Sequence, residues 1–210
     1  MTPPSRPDTE RAALDERVAA YRRDTEFDAT VRAQALRFRA TWGLFSPREI
    51  DEGTSMLLDA IEVAPDDDCF DLGCGYGAIG LTLARLAPGG ETWMVDRDFV
   101  AVEYARANAE RNAITNARAL LSNGFDAVPA DQRFDVIASN LPAKVGNESL
   151  TLLIADAYAH LNPGGRLYVV TISGMRRFIE RTFDEVFGNY EKAKQGRQHT
   201  VALAVREPSS

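Results

Sequence analysis

The ten residues Asp71–Gly80, DLGCGYGAIG, place four glycines behind one carboxylate. Gly73, Gly75 and Gly77 allow a tight turn and let a ligand approach the main chain without interference from a Cβ, while Gly80 permits close packing of a following helix. Read loosely, the run from Gly73 to Ala78 also satisfies the dinucleotide fingerprint, so the glycines alone leave the ligand open. Asp71 adds a charge to that choice. A pyrophosphate favours backbone amides with no carboxylate nearby, whereas a ligand bearing an ammonium group favours an acid at the strand end. Asp96 closes the apolar stretch WMVD, where a carboxylate can accept both hydroxyls of a ribose. The two acids together describe a site for an adenosine nucleoside with a cationic arm and no phosphate. Each acid also has a plainer reading, as a turn or strand-end aspartate bonding local amides.

Such residues need a scaffold that sets strand ends side by side. From residue 69 the chain alternates: CFDLG into helix AIGLTLARLA, ETWMVD into FVAVEYARANAERN, a short ARALLS, RFDVIASN into LTLLIADAYAHL, then GRLYVVTIS into MRRFIERTF. Short β-rich runs separated by amphipathic helices imply right-handed βαβ units and a parallel sheet covered on both faces. Ligands in such sheets bind beyond the carboxyl ends of the strands, which is where the glycine turn falls. The tail YEKAKQGRQHTVALAVRE reads as two strands joined at Gly196 with no helix between them, an antiparallel hairpin. Upstream, TVRAQALRFRA and DEGTSMLLDAIEV read as helical, the second with Met56, Leu57, Ala60 and Ile61 on one face. Between them WGLFSPREI is a proline-containing loop with two exposed aromatics. Residues 1–35 are expected to form a polar extension, disordered at first and then helical, ahead of one α/β domain over 36–207.

Composition sets bounds on the partners. With 210 residues, 45% apolar and 26% charged, the chain is long enough for one well-buried domain. No apolar run approaches the roughly 18 residues of a membrane span. MTPPSRPDTERAALDER lacks the apolar centre of a signal peptide, so a cytoplasmic location without a membrane partner is expected. Cys69 and Cys74, beside the glycine turn, fit neither a disulfide framework nor a four-ligand zinc site, and no metal is expected. The net charge of −7 argues against a protein that wraps nucleic acid over its whole surface. Residues 166–200, however, hold seven Lys or Arg against four Asp or Glu, a local charge of +3 that permits phosphate contacts.

S-adenosyl-L-methionine carries an amino group and a cationic sulfonium but no phosphate, as Asp71 and Asp96 require. The glycine turn behind Asp71, followed by an acid one βα unit later, resembles the class I S-adenosylmethionine-dependent methyltransferases. GLFSPREIDEGTSMLLDAI, DLGCGYGAIG, VDRDFVAVEYARANAERN and FDVIASNLPAKVG, in that order from about Leu36 to Val205, resemble the methyltransferase small domain family, which includes enzymes acting on guanine N2 of ribosomal RNA. The resemblance implies a Rossmann-like, seven-stranded, mostly parallel sheet with helices on both faces and an antiparallel C-terminal hairpin. It also implies cofactor contacts from Asp71, Gly73, Cys74, Gly75 and Gly77 to the methionine part and from Asp96 and Arg97 to the ribose. Asn123 and Gly124 would lie at the adenine, and Thr54 at the methionine carboxylate. Asn123 and Thr54 have local readings too, as a turn asparagine and a helix N-terminal hydroxyl.

Relatives that methylate exocyclic or amide nitrogens carry N-P-P and an aromatic at the acceptor site; here the stretch is Asn140, Leu141, Pro142, Ala143. The resemblance makes Asn140, Leu141 and Pro142 the catalytic turn, with the asparagine oxygen and the Leu141 carbonyl accepting from the acceptor NH₂. No strong base is needed if the amine loses its proton after transfer. Ala143 cannot stack on a flat base, so Phe45 or Phe125 could cover the acceptor instead, a core position being the alternative for each. Lys144 could meet a phosphate. The expected activity is therefore N-methylation of a guanine N2 in ribosomal RNA or a ribosomal subunit, held through a local basic patch. A small-molecule or protein-amide acceptor, a nicotinamide-dependent oxidoreductase and a non-catalytic cofactor-binding module are the other readings.

Overall fold

The computed structural model describes residues 6–141 and 145–208, the side chains of 6–9 excepted. The elements are α1 (Arg6–Tyr21), β1 (Thr25–Val31), β2 (Gln34–Ala40), α2 (Glu52–Ala60), β3 (Cys69–Leu72), α3 (Ala78–Leu86), β4 (Thr92–Asp96), α4 (Phe99–Arg111), β5 (Ala117–Leu121), β6 (Phe134–Asn140), α5 (Asn147–His160), β7 (Leu161–Ile172), a 3-10 turn (Ser173–Met175), α6 (Arg176–Phe187), β8 (Glu191–Gln195) and β9 (His199–Val205). From β3 onward this is the alternation expected from the sequence.

Seven strands form one sheet in the order β5-β4-β3-β6-β7-β9-β8. β5, β4, β3, β6 and β7 run parallel, and β9 lies antiparallel to both β7 and β8. The chain winds outward from β3 in both directions, so the order reverses between β3 and β6. Their carboxyl ends flank the switch point, the place where the ligand crevice lies in sheets of this kind.

All four residues of β3 are buried and alternate between the faces. Phe70 and Leu72 join the core that includes Phe125, Phe134, Ile137, Ile154 and Phe183, beneath α5 and α6. Cys69 and Asp71 point to the other face, where Leu57, Leu83 and Tyr168 pack around Cys69 and α3 runs beside Asp71. A carboxylate thus occupies a core-facing position because the strand period, not the residue's polarity, assigns the side.

The helix expected over TVRAQALRFRA is instead a hairpin, β1 pairing with β2 from Thr25↔Ala40 to Val31↔Gln34. Leu36, Phe38 and Ala40 are buried while Arg37 and Arg39 face outward, a period of two rather than 3.6. The turn residues Arg32 and Ala33 both have positive φ, 50° and 62°, as a tight hairpin turn of the right twist demands. Without Gly, Asn or Asp there, the sequence carries no turn signal.

Asn108 of α4 and Asn112, which caps its C-terminus, dock this hairpin. The Arg39 N–H donates to Asn108 Oδ1 (2.8 Å), and Asn108 Nδ2 donates to the Arg39 carbonyl (2.9 Å). One turn later Asn112 does the same for Arg37, at 2.8 Å each way. The i, i+4 spacing of the two amides matches alternate residues of β2, so the side chains act as a short surrogate strand along its edge. Asn108 Nδ2 also donates to the Tyr76 carbonyl in the glycine turn (2.9 Å), which ties the hairpin to the crevice.

Candidate functional site

The loop after β3 is shaped by main-chain bonds. The Gly73 and Cys74 amides both donate to the Val95 carbonyl at 2.9 Å, and the Gly77 amide donates to the Cys74 carbonyl at 2.9 Å. Gly73, Gly75 and Gly77 take φ of 79°, 54° and 96°, the left-handed region that disfavours a Cβ. A Cβ added at Gly73 or Gly75 would have no atom within 4 Å, so the main chain there borders open space. At Gly80 a Cβ would fall 2.3 Å from Met94 Cγ, which confirms the helix-packing role expected of that glycine.

Asp71 is fully buried. Its Oδ2 accepts from the Gly80 amide at 2.7 Å, while Oδ1 has no hydrogen-bond partner among the described residues. Burial pushes its carboxyl up to about 7; the Gly80 bond opposes this and the nearby Asp96 charge adds to it. The site therefore holds an acid in want of a donor, and an ammonium group supplies donor and charge together. Asp96 ends β4 half-buried, Oδ2 accepting from the Gly75 amide (2.9 Å) and Oδ1 from the Asp98 amide (2.9 Å). Each oxygen keeps a lone pair, so the orientation is fixed while acceptor capacity for a diol is retained. This donor and acceptor set fits S-adenosyl-L-methionine.

Cys74 contributes through its main chain: its thiol is buried with Leu44 and Tyr76, and burial raises it well above the usual thiol range. Arg97 is exposed immediately after β4. Asn123 and Gly124 follow β5, beside Asp96, whose carbonyl accepts from the Ser122 amide (2.9 Å). Asn123 is exposed, with its Nδ2 3.4 Å from Asp126 Oδ2. The turn thus sits at the third strand end of the crevice, next to Asp96.

Asn140 is the last residue of β6, and the Leu141 amide donates to the Val170 carbonyl at 3.0 Å. Asn140 Nδ2 lies 3.0 Å from Thr54 Oγ1 and 3.2 and 3.4 Å from the two oxygens of Asp51. Thr54 is buried and faces Asn140 from the first turn of α2. No described residue donates to Asn140 Oδ1. Pro142, Ala143 and Lys144 lie outside the described residues.

Asp51 is the site residue that sequence reasoning did not find. It caps α2, Oδ1 accepting from the Thr54 amide at 3.2 Å. Asp-x-x-Thr before an apolar run carries a readable cap signal. Its contact with a strand end 89 residues away carries none. Tyr76 is a second addition: its hydroxyl donates to the Glu49 carbonyl at 3.2 Å and moors the 41–51 loop over the glycine turn.

Of the aromatics, Phe125 is core, stacked on Phe70 (4.6 Å between centroids) and on His160 (4.7 Å). Phe45 is 68% exposed and Trp42 64%, so for Phe45 the core alternative fails. Arg176 and Arg177 follow the carboxyl end of β7, and Arg197 sits in the β8–β9 turn, where the Ser173 amide donates to the Gln198 carbonyl (2.8 Å). These three arginines share the sheet edge that carries Asn140. Further along α6, Arg177 and Arg181 are interleaved with Glu180, Asp184 and Glu185, and Lys194 pairs with Asp59 at 3.0 Å. Among the described residues no helix is long and apolar enough to cross a membrane.

The crevice geometry has counterparts in known proteins. Protein YbxB of Bacillus subtilis, itself uncharacterized, is 33% identical over 163 residues, 74% of this chain and 81% of that protein. The ribosomal RNA small subunit methyltransferase C of Hamiltonella defensa is 32% identical over 166 residues, 77% of this chain and 48% of the relative. The chain thus spans about half the length of that relative. The T. thermophilus 16S rRNA N2 G1207 methyltransferase, solved in complex with AdoMet and guanosine, superposes with a TM-score of 0.79 at 30% identity, over 87% of this chain and 50% of that one. A ribosomal protein L11 methylase from Lactobacillus delbrueckii shares the fold, with a TM-score of 0.65 at 22% identity over 80% of this chain and 84% of that one. Residues 35–202, from the hairpin's second strand to the last strand of the sheet, match one family along the length that builds the crevice. With that match joined to the glycine turn, the two acids and the strand-end asparagine, the chain belongs to the methyltransferase small domain family.

Proposed function

We propose that this protein is an S-adenosyl-L-methionine-dependent N-methyltransferase whose acceptor is the exocyclic N2 amino group of a guanine in ribosomal RNA. When bound, the cofactor supplies a methyl group on a cationic sulfonium. Asp71 and the turn of Gly73–Gly77 would hold its methionine part, Asp96 and Arg97 its ribose, and Asn123 and Gly124 its adenine. The structural likeness to a guanosine-bound methyltransferase at 30% identity supports the acceptor class.

The observation that carries the reading is the placement of Asn140 at the switch point, one strand from the glycine turn, with its amide nitrogen engaged by Asp51 and Thr54 and its oxygen accepting from no described residue. An oxygen that accepts from an amino group draws the N–H bonds toward itself and directs the nitrogen lone pair away from the base plane. It also stabilises the positive charge that develops on that nitrogen. The C–S bond would break as the N–C bond forms, leaving a neutral thioether, and the nitrogen, then cationic, would be acidic enough to pass a proton to water. The Leu141 carbonyl and Pro142 complete the turn in this reading.

Phe45, exposed on the loop moored over the glycine turn, is an aromatic available to stack on the base where Ala143 cannot. The RNA backbone would be met by Arg176 and Arg197 at the carboxyl ends of the strands rather than by the length of α6, where acids offset Arg177 and Arg181. The test incubates the protein and methyl-labelled cofactor with ribosomal subunits, naked ribosomal RNA and total protein, beside Asn140→Ala. Label should enter RNA as N2-methylguanine, and the variant should lose about 100-fold in rate with cofactor affinity retained. Label confined to protein or small molecules would refute the acceptor, and full activity of the variant would refute the role of Asn140.

A further inference from the structure

We infer that Asp51, with Thr54, is a positioning clamp for Asn140, fixing the orientation of its carboxamide so that the acceptor meets only the oxygen. The inference deepens the reading of Asn140 above and rests on it.

An asparagine amide presents nearly the same shape in both flips, with opposite hydrogen-bonding character. Which flip is populated depends on its neighbours. Here three oxygens face the nitrogen: Thr54 Oγ1 at 3.0 Å and Asp51 Oδ1 and Oδ2 at 3.2 and 3.4 Å. Inversion would set Asn140 Oδ1 against two carboxylate oxygens, with only the Thr54 hydroxyl able to donate. Asp51 is itself held, because its Oδ1 accepts from the Thr54 amide at 3.2 Å as the cap of α2. The clamp therefore couples the first turn of a helix to the last residue of a central strand.

Two consequences follow for the acceptor. An oxygen-only face matches a donor such as an aromatic amine and leaves a keto oxygen unmatched, so it selects the amino edge of a base over its carbonyl edge. The carboxylate behind the amide also polarises it and increases negative charge on Oδ1, which favours the amine as it becomes cationic. A neutral acceptor in place of Asp51 keeps the first effect and weakens the second.

Capping and clamping can be separated by side-chain length. Asp51→Ser keeps a strong N-cap but is too short to reach Asn140, while Asp51→Asn keeps an acceptor for both partners. In ¹⁵N-labelled full-length protein the Asn140 side-chain NH₂ pair is identified by its loss in Asn140→Ala. That pair should exchange slowly in the wild type and in Asp51→Asn, and about tenfold or more faster in Asp51→Ser. With ribosomal RNA or subunits as acceptor, Asp51→Ser should lose about 10- to 100-fold in kcat, with KM, cofactor affinity and Tm close to wild type. Asp51→Asn should recover most of that loss. Unchanged exchange and kcat in Asp51→Ser would overturn the clamp even if Asn140→Ala is inactive. A parallel fall in Tm and cofactor affinity, matching the fall in kcat, would also overturn it by showing a structural cap alone. If the wild type labels no RNA but the NH₂ pair behaves as described, the acceptor assignment fails and the clamp stands.

Discussion

Asp71 accepts a 2.7 Å hydrogen bond from the Gly80 amide through Oδ2, and its Oδ1 is buried with no partner among the described residues. One bond joins the end of β3 to the first turn of α3 and leaves half of a carboxylate unsatisfied. The unsatisfied half is the site's demand for a cation.

That demand has a pH signature. Burial raises the Asp71 carboxyl from its ordinary value of 3.8 to about 7 in the folded chain. The folded state then binds the proton more tightly than the unfolded state, so this residue costs the ligand-free protein stability as pH rises from about 4 through about 7. Denaturant unfolding at pH 5 and pH 8 should show this loss, and Asp71→Asn should flatten it. Binding of S-adenosyl-L-methionine near pH 6 should expel the proton, releasing up to about one per site. Calorimetry in buffers of different ionisation enthalpy measures that number, and zero would exclude an ammonium partner.

Gly75 and Gly80 should fail in different ways. Gly75→Ala puts a Cβ at φ of 54° into open space above the turn, so it should cost about 1–2 kcal/mol of stability and weaken cofactor binding at least about tenfold. Gly80→Ala drives a Cβ into Met94 and should cost about 1–3 kcal/mol by overpacking, with cofactor affinity reduced only where Asp71 shifts with it. Thermal melts with and without cofactor separate the two.

Phe45 and Phe125 make a second contrasting pair. Phe125→Ala removes a ring stacked on Phe70 and His160 and should destabilise by about 3–5 kcal/mol. Phe45→Ala should leave Tm within a degree or two, since its ring is 68% exposed. Its effect should appear as a rise of about 5- to 100-fold in KM for the RNA acceptor, the range of one lost stacking contact. An unchanged KM would remove Phe45 from the acceptor site.

The α4 asparagines should act as a unit. Asn108→Ala strands the Arg39 amide and carbonyl and the Tyr76 carbonyl, and should cost about 2–3 kcal/mol. Asn112→Ala should cost a similar amount through Arg37, and the double variant less than the sum, because both release the same hairpin. Denaturation of the two single variants and the double variant measures the coupling.

The βα units from β3 to α6 were legible because each declares itself locally. CFDL and TWMVD are short, mostly apolar runs buried on both faces, and the helices that follow them carry a 3.6 period. β1 and β2 were not legible. Their turn at Arg32 and Ala33 uses two positive-φ residues without glycine or asparagine, and Leu36, Phe38 and Ala40 satisfy a period of two that a short window confuses with a helix face. Phe45 and Phe125 look alike as letters, and only packing made one a core ring and the other a surface ring.

By itself the sequence determined the order of strands and helices from β3 to β9, the glycine turn behind Asp71, the acid that ends β4 and the asparagine that ends β6. Those features depend on spacing within a few residues, through backbone dihedral limits and the side-chain period. Tertiary structure alone decided that Asp71 keeps one oxygen without a partner among the described residues, that Asn108 and Asn112 edge the hairpin, and that Asp51 and Thr54 face Asn140 across 89 and 86 residues of chain. A polar side chain's partner is chosen by which elements pack together, and no local pattern records that choice. In the proposed reaction the sequence therefore names Asn140 as the group that would meet the acceptor, while the packing of α2 against the end of β6 sets its partners.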